Sequence, residues 1–276
     1  MPNIKSILYV NLSQGGDNML LTIDIGNTNI TFGAYSTDDL LFVSRLATDR
    51  ARTTDQYAVE LLSILNLYKL SSNQFSGAIV SSVVPELTAE IVNAVEKTTS
   101  LKPMLLVPGL KTGINILTDN PAQVGADLIA GAVAAVSQYT LPCLVVDLGT
   151  ATKISVIDEN GSFCGCTITA GVNISLDALA QRTSQLPNIS LTAPSHVIGK
   201  NTIESMQSGT VFGAAAMIDG LCEKIEEELG LEIKSFVATG GLSRDIVKIC
   251  KKPIIYNGQL ILEGLKIIYN KNNKIK

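Results

Sequence analysis

One short pattern occurs twice in this chain, first as Asp24-Ile25-Gly26-Asn27-Thr28-Asn29 and again as Asp147-Leu148-Gly149-Thr150-Ala151-Thr152. An apolar run leads into each copy, a β-branched stretch follows it, and turn residues end that stretch. Apolar runs that are broken by glycine and small polar residues are typical of two strands joined by a tight turn. The sequence therefore predicts the same strand–turn–strand unit in both halves of the chain.

The chemistry of such a turn favours phosphate binding. Glycine lets the backbone approach a ligand closely, and successive backbone N–H groups form a concave anion site to which Thr and Asn side chains add donors. An aspartate that faced a phosphate directly would be repelled, so we expect Asp24 and Asp147 to hold a cation, or its water, that shields the phosphate charge. One copy alone would be an ordinary turn after a strand. Two copies in matching settings favour a pair of turns that grip a polyphosphate across a cleft.

Strand-like and helix-like segments alternate along the chain, which predicts an α/β fold with a central sheet. Further predicted strands cover residues 40–46, 75–84, 104–107, 163–169, 235–238 and 253–256. Predicted helices cover residues 55–67, 86–98, 122–139, 175–182, 203–229, 244–250 and 260–269.

The predicted helix at 122–139 carries the most informative single residue. Asn120 and Pro121 are a typical N-cap and first helical residue. The helix is small and apolar, yet Asp127 lies within it. Because a buried carboxylate without a partner is costly, we expect Asp127 to be paired, protonated or turned toward a ligand cleft. A solvated edge is the alternative.

Glycines inside helices reduce helix stability, which suggests close approach of another backbone or of a substrate. Such glycines occur at positions 125 and 131 of the helix that carries Asp127, and glycines at positions 209, 213 and 220 imply tight packing of the predicted helix at 203–229. Asn201 and Glu204 predict a capping box at the start of the second of these helices. Thr239-Gly240-Gly241 follows a strand and precedes a helix that Ser243 could cap, a combination typical of nucleotide binding.

Composition limits the class of protein. The 276 residues are 46% hydrophobic and 17% charged, which is typical of a globular chain with a large core. The formal net charge of -4 provides no basic surface for nucleic acid. No apolar run approaches the roughly 20 residues that cross a bilayer. We therefore expect a cytoplasmic protein that binds neither nucleic acid nor membrane.

Residues 1–18 lack periodicity, and we expect a flexible N-terminal extension there, with Met19 as an alternative natural start. Their single positive charge, Lys5, is too little for a secretory signal. The five cysteines are scattered, so we expect reduced thiols rather than disulfides or a metal site.

Taken together, these motifs resemble the acetate-and-sugar-kinase/actin/Hsp70 superfamily and, within it, the type III pantothenate kinases. The resemblance covers nearly the whole chain from Met19. Besides the aspartate turns and Thr-Gly-Gly, the family's motifs correspond to residues 81–85, 119–121, 125–127 and 199–202.

This resemblance implies two RNase H-like (actin-like ATPase) domains with mixed sheets flanked by helices, which we place at residues 19–139 and 140–276. It implies ATP-dependent phosphorylation of pantothenate to 4'-phosphopantothenate, the first step of coenzyme A biosynthesis. The implied cofactors are ATP, Mg²⁺ and a monovalent cation, either K⁺ or NH₄⁺. The expected assembly is a homodimer with the substrate near the subunit interface.

The resemblance also assigns roles to residues of this chain. It implies that Asp127 is the general base and that Asp147 holds the monovalent cation. The expected ATP-binding residues, which include the glycine pair already noted, are Asp24, Ile25, Gly26, Asn27, Thr28, Asn29, Ile30, Thr31, Thr150, Gly240 and Gly241. The expected acceptor-binding residues are Thr118, Gly125, Ala126, Asp127, Leu128 and Thr202.

Four positions depart from the family's usual residues: Leu128 replaces arginine, Thr118 tyrosine, Lys153 threonine and Ala170 proline. Loss of the arginine removes a charge-assisted contact to the pantothenate carboxylate worth about 1.5–3 kcal/mol. We also expect Leu128 to leave Asp127 without an adjacent cation. The departures keep two alternatives open, a nucleotide-binding regulatory or accessory protein and a kinase for a related hydroxy compound.

Overall fold

The computed structural model describes residues 18–273, so the predicted flexible extension at 1–18 lies outside the described residues apart from Asn18. The chain forms two compact units that divide between Val107 and Pro108. Our predicted boundary after residue 139 lies further along the chain. The intervening segment includes helix α3 (Ala126–Gln138), which packs within the second unit.

The first unit is built on a five-stranded sheet. Its strands are β1 (Met19–Ile25), β2 (Asn29–Ser36), β3 (Asp39–Ala47), β4 (Phe75–Ser82) and β5 (Met104–Leu105), and its α-helices are α1 (Thr54–Leu67) and α2 (Pro85–Thr99). In the order β3-β2-β1-β4-β5, the first three strands form an antiparallel meander, and β4 and β5 run parallel to β1. The helices provide the long crossovers that parallel strands require.

The second unit is built on a sheet of the same design. Its strands are β6 (Cys143–Leu148), β7 (Ala151–Ile157), β8 (Phe163–Ala170), β9 (Ser235–Thr239) and β10 (Ile254–Tyr256). Its remaining α-helices are α4 (Val172–Arg182), α5 (Thr202–Leu229), α6 (Ser243–Ile246) and α7 (Leu260–Asn273). The order β10-β9-β6-β7-β8 again joins an antiparallel meander to parallel strands at its first strand. The predicted α/β fold and the duplicated strand–turn–strand unit are therefore confirmed.

Helices cover both faces of the second sheet. Leu144 and Leu148 of β6 share an apolar cluster with residues of α4 and α5, whereas Cys143 and Val145 share another with residues of α3 and α7. Successive side chains of a strand point to opposite faces. Asp147 therefore lies on the face that α3 covers.

Helix α3 begins later than predicted. Asn120 and Pro121 start a separate single 3₁₀ turn, and the Asn120 side chain makes no capping hydrogen bond. Val124 is extended and Gly125 is the N-cap of α3, so Asp127 lies in the first turn of that helix. Helix α6 is a single turn at Ser243–Ile246, and the predicted helix at 244–250 with Ser243 as its cap is wrong. The cap at Asn201 is confirmed, because its Oδ1 accepts a hydrogen bond from the Glu204 backbone N–H at 2.9 Å. The reciprocal half of the predicted capping box differs, because the Glu204 carboxylate accepts from the Lys200 backbone N–H at 3.0 Å and not from that of Asn201.

The glycines of α5 do not mark tight packing, so that prediction is wrong. A Cβ atom added at Gly209, Gly213 or Gly220 would meet no described atom within 4 Å. Close backbone approach occurs instead at Gly264 of α7, where an added Cβ would overlap the Ala130 carbonyl group of α3. A single glycine thus allows α7 to lie directly against the helix that carries Asp127.

This difference between glycines can be tested with two alanine variants. Gly264→Ala should destabilise the protein by about 1–3 kcal/mol or more, because the added methyl group forces α3 and α7 apart. Gly220→Ala is the matched control in a helix with free space, and it should stabilise the protein by about 0.5–1 kcal/mol. Urea denaturation of both variants measures the change. Equal effects would contradict the close contact between α3 and α7.

Candidate active site

The first aspartate turn is held by the strands on either side of it. Asp24 of β1 pairs with Thr31 of β2 on one side and with Ser81 of β4 on the other. The Ser81 hydroxyl donates a hydrogen bond to Asp24 Oδ1 at 2.7 Å. A hydroxyl donor on a half-buried carboxylate fixes its orientation at the end of the strand.

Backbone contacts then shape the turn. The Gly26 N–H donates to the Asn29 carbonyl at 3.0 Å, and a Cβ on Gly26 would lie only 3.0 Å from that oxygen. The Asn27, Thr28 and Asn29 residues are exposed, as a ligand-binding turn requires. The predicted residues from Asp24 to Thr31 therefore form one local structure.

Two residues beside this turn were not predicted as site residues. The Thr48 hydroxyl donates to the Gly26 carbonyl at 2.6 Å, and Arg50 Nη2 donates to Asn27 Oδ1 at 3.1 Å. Arg50 thus places a positive charge at the turn. The signal in the sequence was a short polar segment after β3, which is too general to identify a site.

The second aspartate turn contacts two other segments of its own unit. The Gly149 N–H donates to the Ala151 carbonyl at 3.2 Å and closes the turn. A Cβ on Gly171 would overlap the Thr150 carbonyl, so the backbone after β8 lies directly on the turn. Gly240 has a φ of +97°, and an added Cβ would lie 2.5 Å from the Leu148 carbonyl oxygen. A residue with a Cβ atom would therefore not fit at position 171 or at position 240.

The predicted Thr-Gly-Gly turn therefore lies beside the second aspartate turn. Parallel pairing of β6 and β9 sets Asp147 next to Thr239, at the same edge of the sheet. Because α6 is a single helical turn that begins at Ser243, the helix after this motif is shorter than expected, and the backbone of Gly240 and Gly241 is the part of the motif that can approach a ligand.

Lys153 joins the two predicted acidic site residues. Its Nζ atom lies 2.6 Å from Asp127 Oδ2 and 2.8 Å from Asp147 Oδ2. The side chains of Asp127 and Asp147 are each 13% exposed and that of Lys153 is 15% exposed. The prediction that Asp127 has no adjacent cation is therefore wrong, because a lysine from β7 supplies one.

Burial and neighbouring charges shift the pKa values of Asp147 and Lys153 in opposite directions. Burial raises the pKa of Asp147, and the Lys153 charge opposes that rise. Burial by itself would lower the pKa of Lys153, but the charges of Asp147 and Asp127 outweigh it and raise that pKa overall. The lysine is therefore an ammonium ion at any physiological pH.

The predicted acceptor residues separate into two places. Gly125, Ala126, Asp127 and Leu128 lie at the start of α3, where the Leu128 N–H donates to Asp127 Oδ1 at 2.8 Å. Thr118 lies in the preceding loop, and its buried hydroxyl has no hydrogen-bond partner among residues 18–273.

Thr202 lies elsewhere and lines a cavity of about 790 Å³. The cavity is lined by α4, α5 and the loop before α5, and by Thr152 of β7. None of the other predicted acceptor residues is among the described residues that line it. Thr152 and Lys153 are successive strand residues, so this cavity lies on the opposite face of the sheet from Asp127.

Comparison with known proteins assigns the family. Residues 20–224 match the sequence model of the type III pantothenate kinases. A type III pantothenate kinase from Exiguobacterium sp. (strain ATCC BAA-1283 / AT1b) is 42% identical over 256 residues, which are 93% of this chain and 100% of that protein. The chain belongs to the type III pantothenate kinase family.

Solved structures similar to this pantothenate kinase family member show the fold. A Baf family protein from Campylobacter jejuni superposes with a TM-score of 0.58 at 20% identity, covering 92% of this chain and 99% of that one. Component A of the (R)-2-hydroxyglutaryl-CoA dehydratase from Acidaminococcus fermentans superposes with a TM-score of 0.56 at 15% identity, covering 93% and 98%. These similarities confirm the expected pair of RNase H-like, actin-like ATPase units.

Three further features of this family member concern its helices, its cysteines and its possible metal ligands. Within residues 18–273, every helix is too short or too polar to span a membrane. The five cysteines are free thiols, and burial raises the pKa of Cys143, Cys222 and Cys250 to about 12. Thiols with a pKa so far above neutral contain little of the reactive thiolate. No group of three or more His, Cys, Asp or Glu residues that could hold a metal ion occurs in the described part of the chain.

Proposed function

We propose that this protein transfers the γ-phosphate of ATP to the hydroxyl group of pantothenate and forms 4'-phosphopantothenate, the first step of coenzyme A biosynthesis. Family membership supports the reaction. The observation that carries it is the position of Asp127, which Lys153 holds beside the second aspartate turn. A carboxylate next to a phosphate-binding turn is the arrangement that transfer to an alcohol requires.

ATP binding is assigned to the backbone and side chains of the turns. In the first unit the binding residues are Asp24 to Thr31, whose exposed amide and hydroxyl groups are hydrogen-bond donors. In the second unit they are Thr150, Gly240 and Gly241. The glycine at 240 brings its backbone against the Asp147 turn, so both segments can contact one phosphate chain.

The divalent metal that accompanies ATP fits the acidic group of the first turn. Mg²⁺ is normally bound by one or two carboxylates together with substrate phosphates and water. Asp24, oriented by Ser81, is the carboxylate we assign to that role. When bound, the metal ion neutralises the negative charge of the β- and γ-phosphates. A monovalent cation at Asp147 is the other cofactor implied by the family. The ammonium group of Lys153 already contacts the Asp147 carboxylate, where that cation would bind.

Asp127 is the general base in this proposal. The acceptor hydroxyl oxygen bonds to the γ-phosphorus, the bond from phosphorus to the β,γ-bridging oxygen breaks, and ADP leaves with that electron pair. The hydroxyl proton passes to Asp127. The carboxylate already accepts hydrogen bonds from Leu128 N–H and Lys153 Nζ, but its two oxygens have about four acceptor positions in all, so it can still accept the substrate proton.

The acceptor site is proposed to use Thr118, Gly125, Ala126 and Leu128 of one subunit. Since Thr202 lies on the other face of the sheet, we assign its contact to the acceptor of a second copy in a homodimer. Exposed apolar side chains around Thr202 support a subunit interface there: Ile174, Leu179, Val197, Ile198 and Ile203 are between 42% and 82% exposed. Exposed apolar side chains, where they form a patch, are typical of association surfaces.

Substitution of the base tests the reaction. Asp127→Asn should lower kcat by roughly 10²–10⁴, the usual contribution of a general base, and leave ATP affinity unchanged. Product formation from ATP, Mg²⁺ and pantothenate measures kcat, and calorimetric titration measures nucleotide binding. Asp39→Asn, at an exposed position of β3, is the matched control and should keep full activity.

Two outcomes would contradict this proposal. Asp127→Asn could retain kcat, which would exclude its role as base. The unaltered protein could bind ATP without phosphorylating pantothenate, which would favour another hydroxy compound as acceptor or a regulatory role.

A mixed dimer tests the role of Thr202. Asp127→Asn and Thr202→Ala chains should each be weakly active alone. If each site combines Asp127 of one chain with Thr202 of the other, every mixed dimer contains one intact site of two, and purified mixed dimers should regain about half of the original activity. Co-expression with two affinity tags gives the mixed dimers. Activity no greater than the sum of the separate variants would contradict the shared site.

A further inference from the structure

The contacts of Asp147 do not fit a dissociable monovalent cation. Lys153 Nζ lies 2.8 Å from Asp147 Oδ2 and 2.6 Å from Asp127 Oδ2, which are distances of charge-assisted hydrogen bonds. All three side chains are at least 85% buried. A second cation held by the same carboxylate would lie against the like charge of the ammonium group, in a site where water screens that repulsion poorly.

The two hairpins of the protein show how the lysine reaches this position. In the first unit, the residue directly opposite Asp24 across the hairpin is Thr31. In the second unit, the residue directly opposite Asp147 is Lys153. Side chains directly opposite one another on antiparallel strands are neighbours. The same structural position thus carries a neutral hydroxyl in one unit and a positive charge in the other.

The chemistry of the lysine head group matches that of a small monovalent cation. Its ammonium group is an ammonium ion in which one hydrogen is replaced by carbon, and it carries one positive charge and three donors. Two buried carboxylates without a cation would be strongly destabilising, so some positive charge is needed at this point. Because Lys153 is covalently part of β7, it supplies this positive charge without the entropy loss of binding an ion from solution.

We infer that the Lys153 ammonium group is a built-in monovalent cation at the active site, so that this protein catalyses phosphoryl transfer without K⁺ or NH₄⁺. This inference rests on the proposed function. It assigns Lys153 as a positioning residue, which holds Asp127 and Asp147 together and supplies the positive charge that an ion would otherwise bring.

The first test is cation dependence of kinase activity. Turnover is measured with ATP, Mg²⁺ and pantothenate in tetramethylammonium chloride, and then with KCl or NH₄Cl at the same ionic strength. The unaltered protein should show equal turnover in all three salts. Lys153→Thr should lose roughly a hundredfold in kcat in tetramethylammonium, the usual effect of removing one preorganised charge, and should regain most of it in KCl or NH₄Cl.

The second test measures cation binding without turnover. A ligand that binds the native state raises the thermal midpoint. KCl should raise the midpoint of Lys153→Thr above its value in tetramethylammonium chloride, whereas the unaltered protein should show no such difference. Lys252→Thr is the matched control, since Lys252 forms a similarly buried ion pair with Glu226 in the same unit, and its removal should create no dependence on K⁺.

The outcomes separate the inference from the function on which it rests. Strong activation of the unaltered protein by KCl, or a midpoint that rises specifically with K⁺, would overturn the inference. Loss of activity in a folded Lys153→Thr that no cation restores would also overturn it. Absence of turnover in every salt would count against the kinase proposal alone, and the thermal midpoints would still decide whether Lys153 excludes the ion.

Discussion

In the second unit, two buried carboxylates share one ammonium group. Asp127 comes from the first turn of α3, Asp147 from the end of β6 and Lys153 from the adjoining strand. Removing Lys153 would leave two buried carboxylates without a compensating charge, which typically costs several kcal/mol. The cluster therefore links the position of α3 to the second aspartate turn, and the close contact of α7 with α3 at Gly264 also holds α3 in place.

The two faces of the central sheet of the second unit carry different functional candidates. On the α3 face lie the ion cluster and the start of the helix that carries the proposed base. On the other face lie α4, α5 and the cavity that contains Thr202. Strand alternation makes this division unavoidable, because Thr152 and Lys153 are neighbours in sequence and face opposite ways. The proposed homodimer would bring Thr202 of one copy to the acceptor site of the other.

Local patterns in the sequence were sufficient for much of the fold and part of the site. Both aspartate turns were predicted because apolar strands, glycine and small polar residues lie next to each other in the chain. The ion pair of Lys153 could not be predicted, since it depends on strand register and on where α3 begins. The start of α3 was missed because Asn120-Pro121 signals a helix but begins only a 3₁₀ turn. The placement of Thr202 depends on packing across the whole unit.

A crystal structure with pantothenate and a non-hydrolysable ATP analogue tests the central claim most directly. We predict that the pantothenate hydroxyl lies within hydrogen-bond distance of an Asp127 carboxylate oxygen, while Lys153 Nζ keeps its contacts with Asp127 and Asp147. A structure in which Lys153 has turned away and a metal ion lies on Asp147, or in which pantothenate binds away from Asp127, would contradict the account.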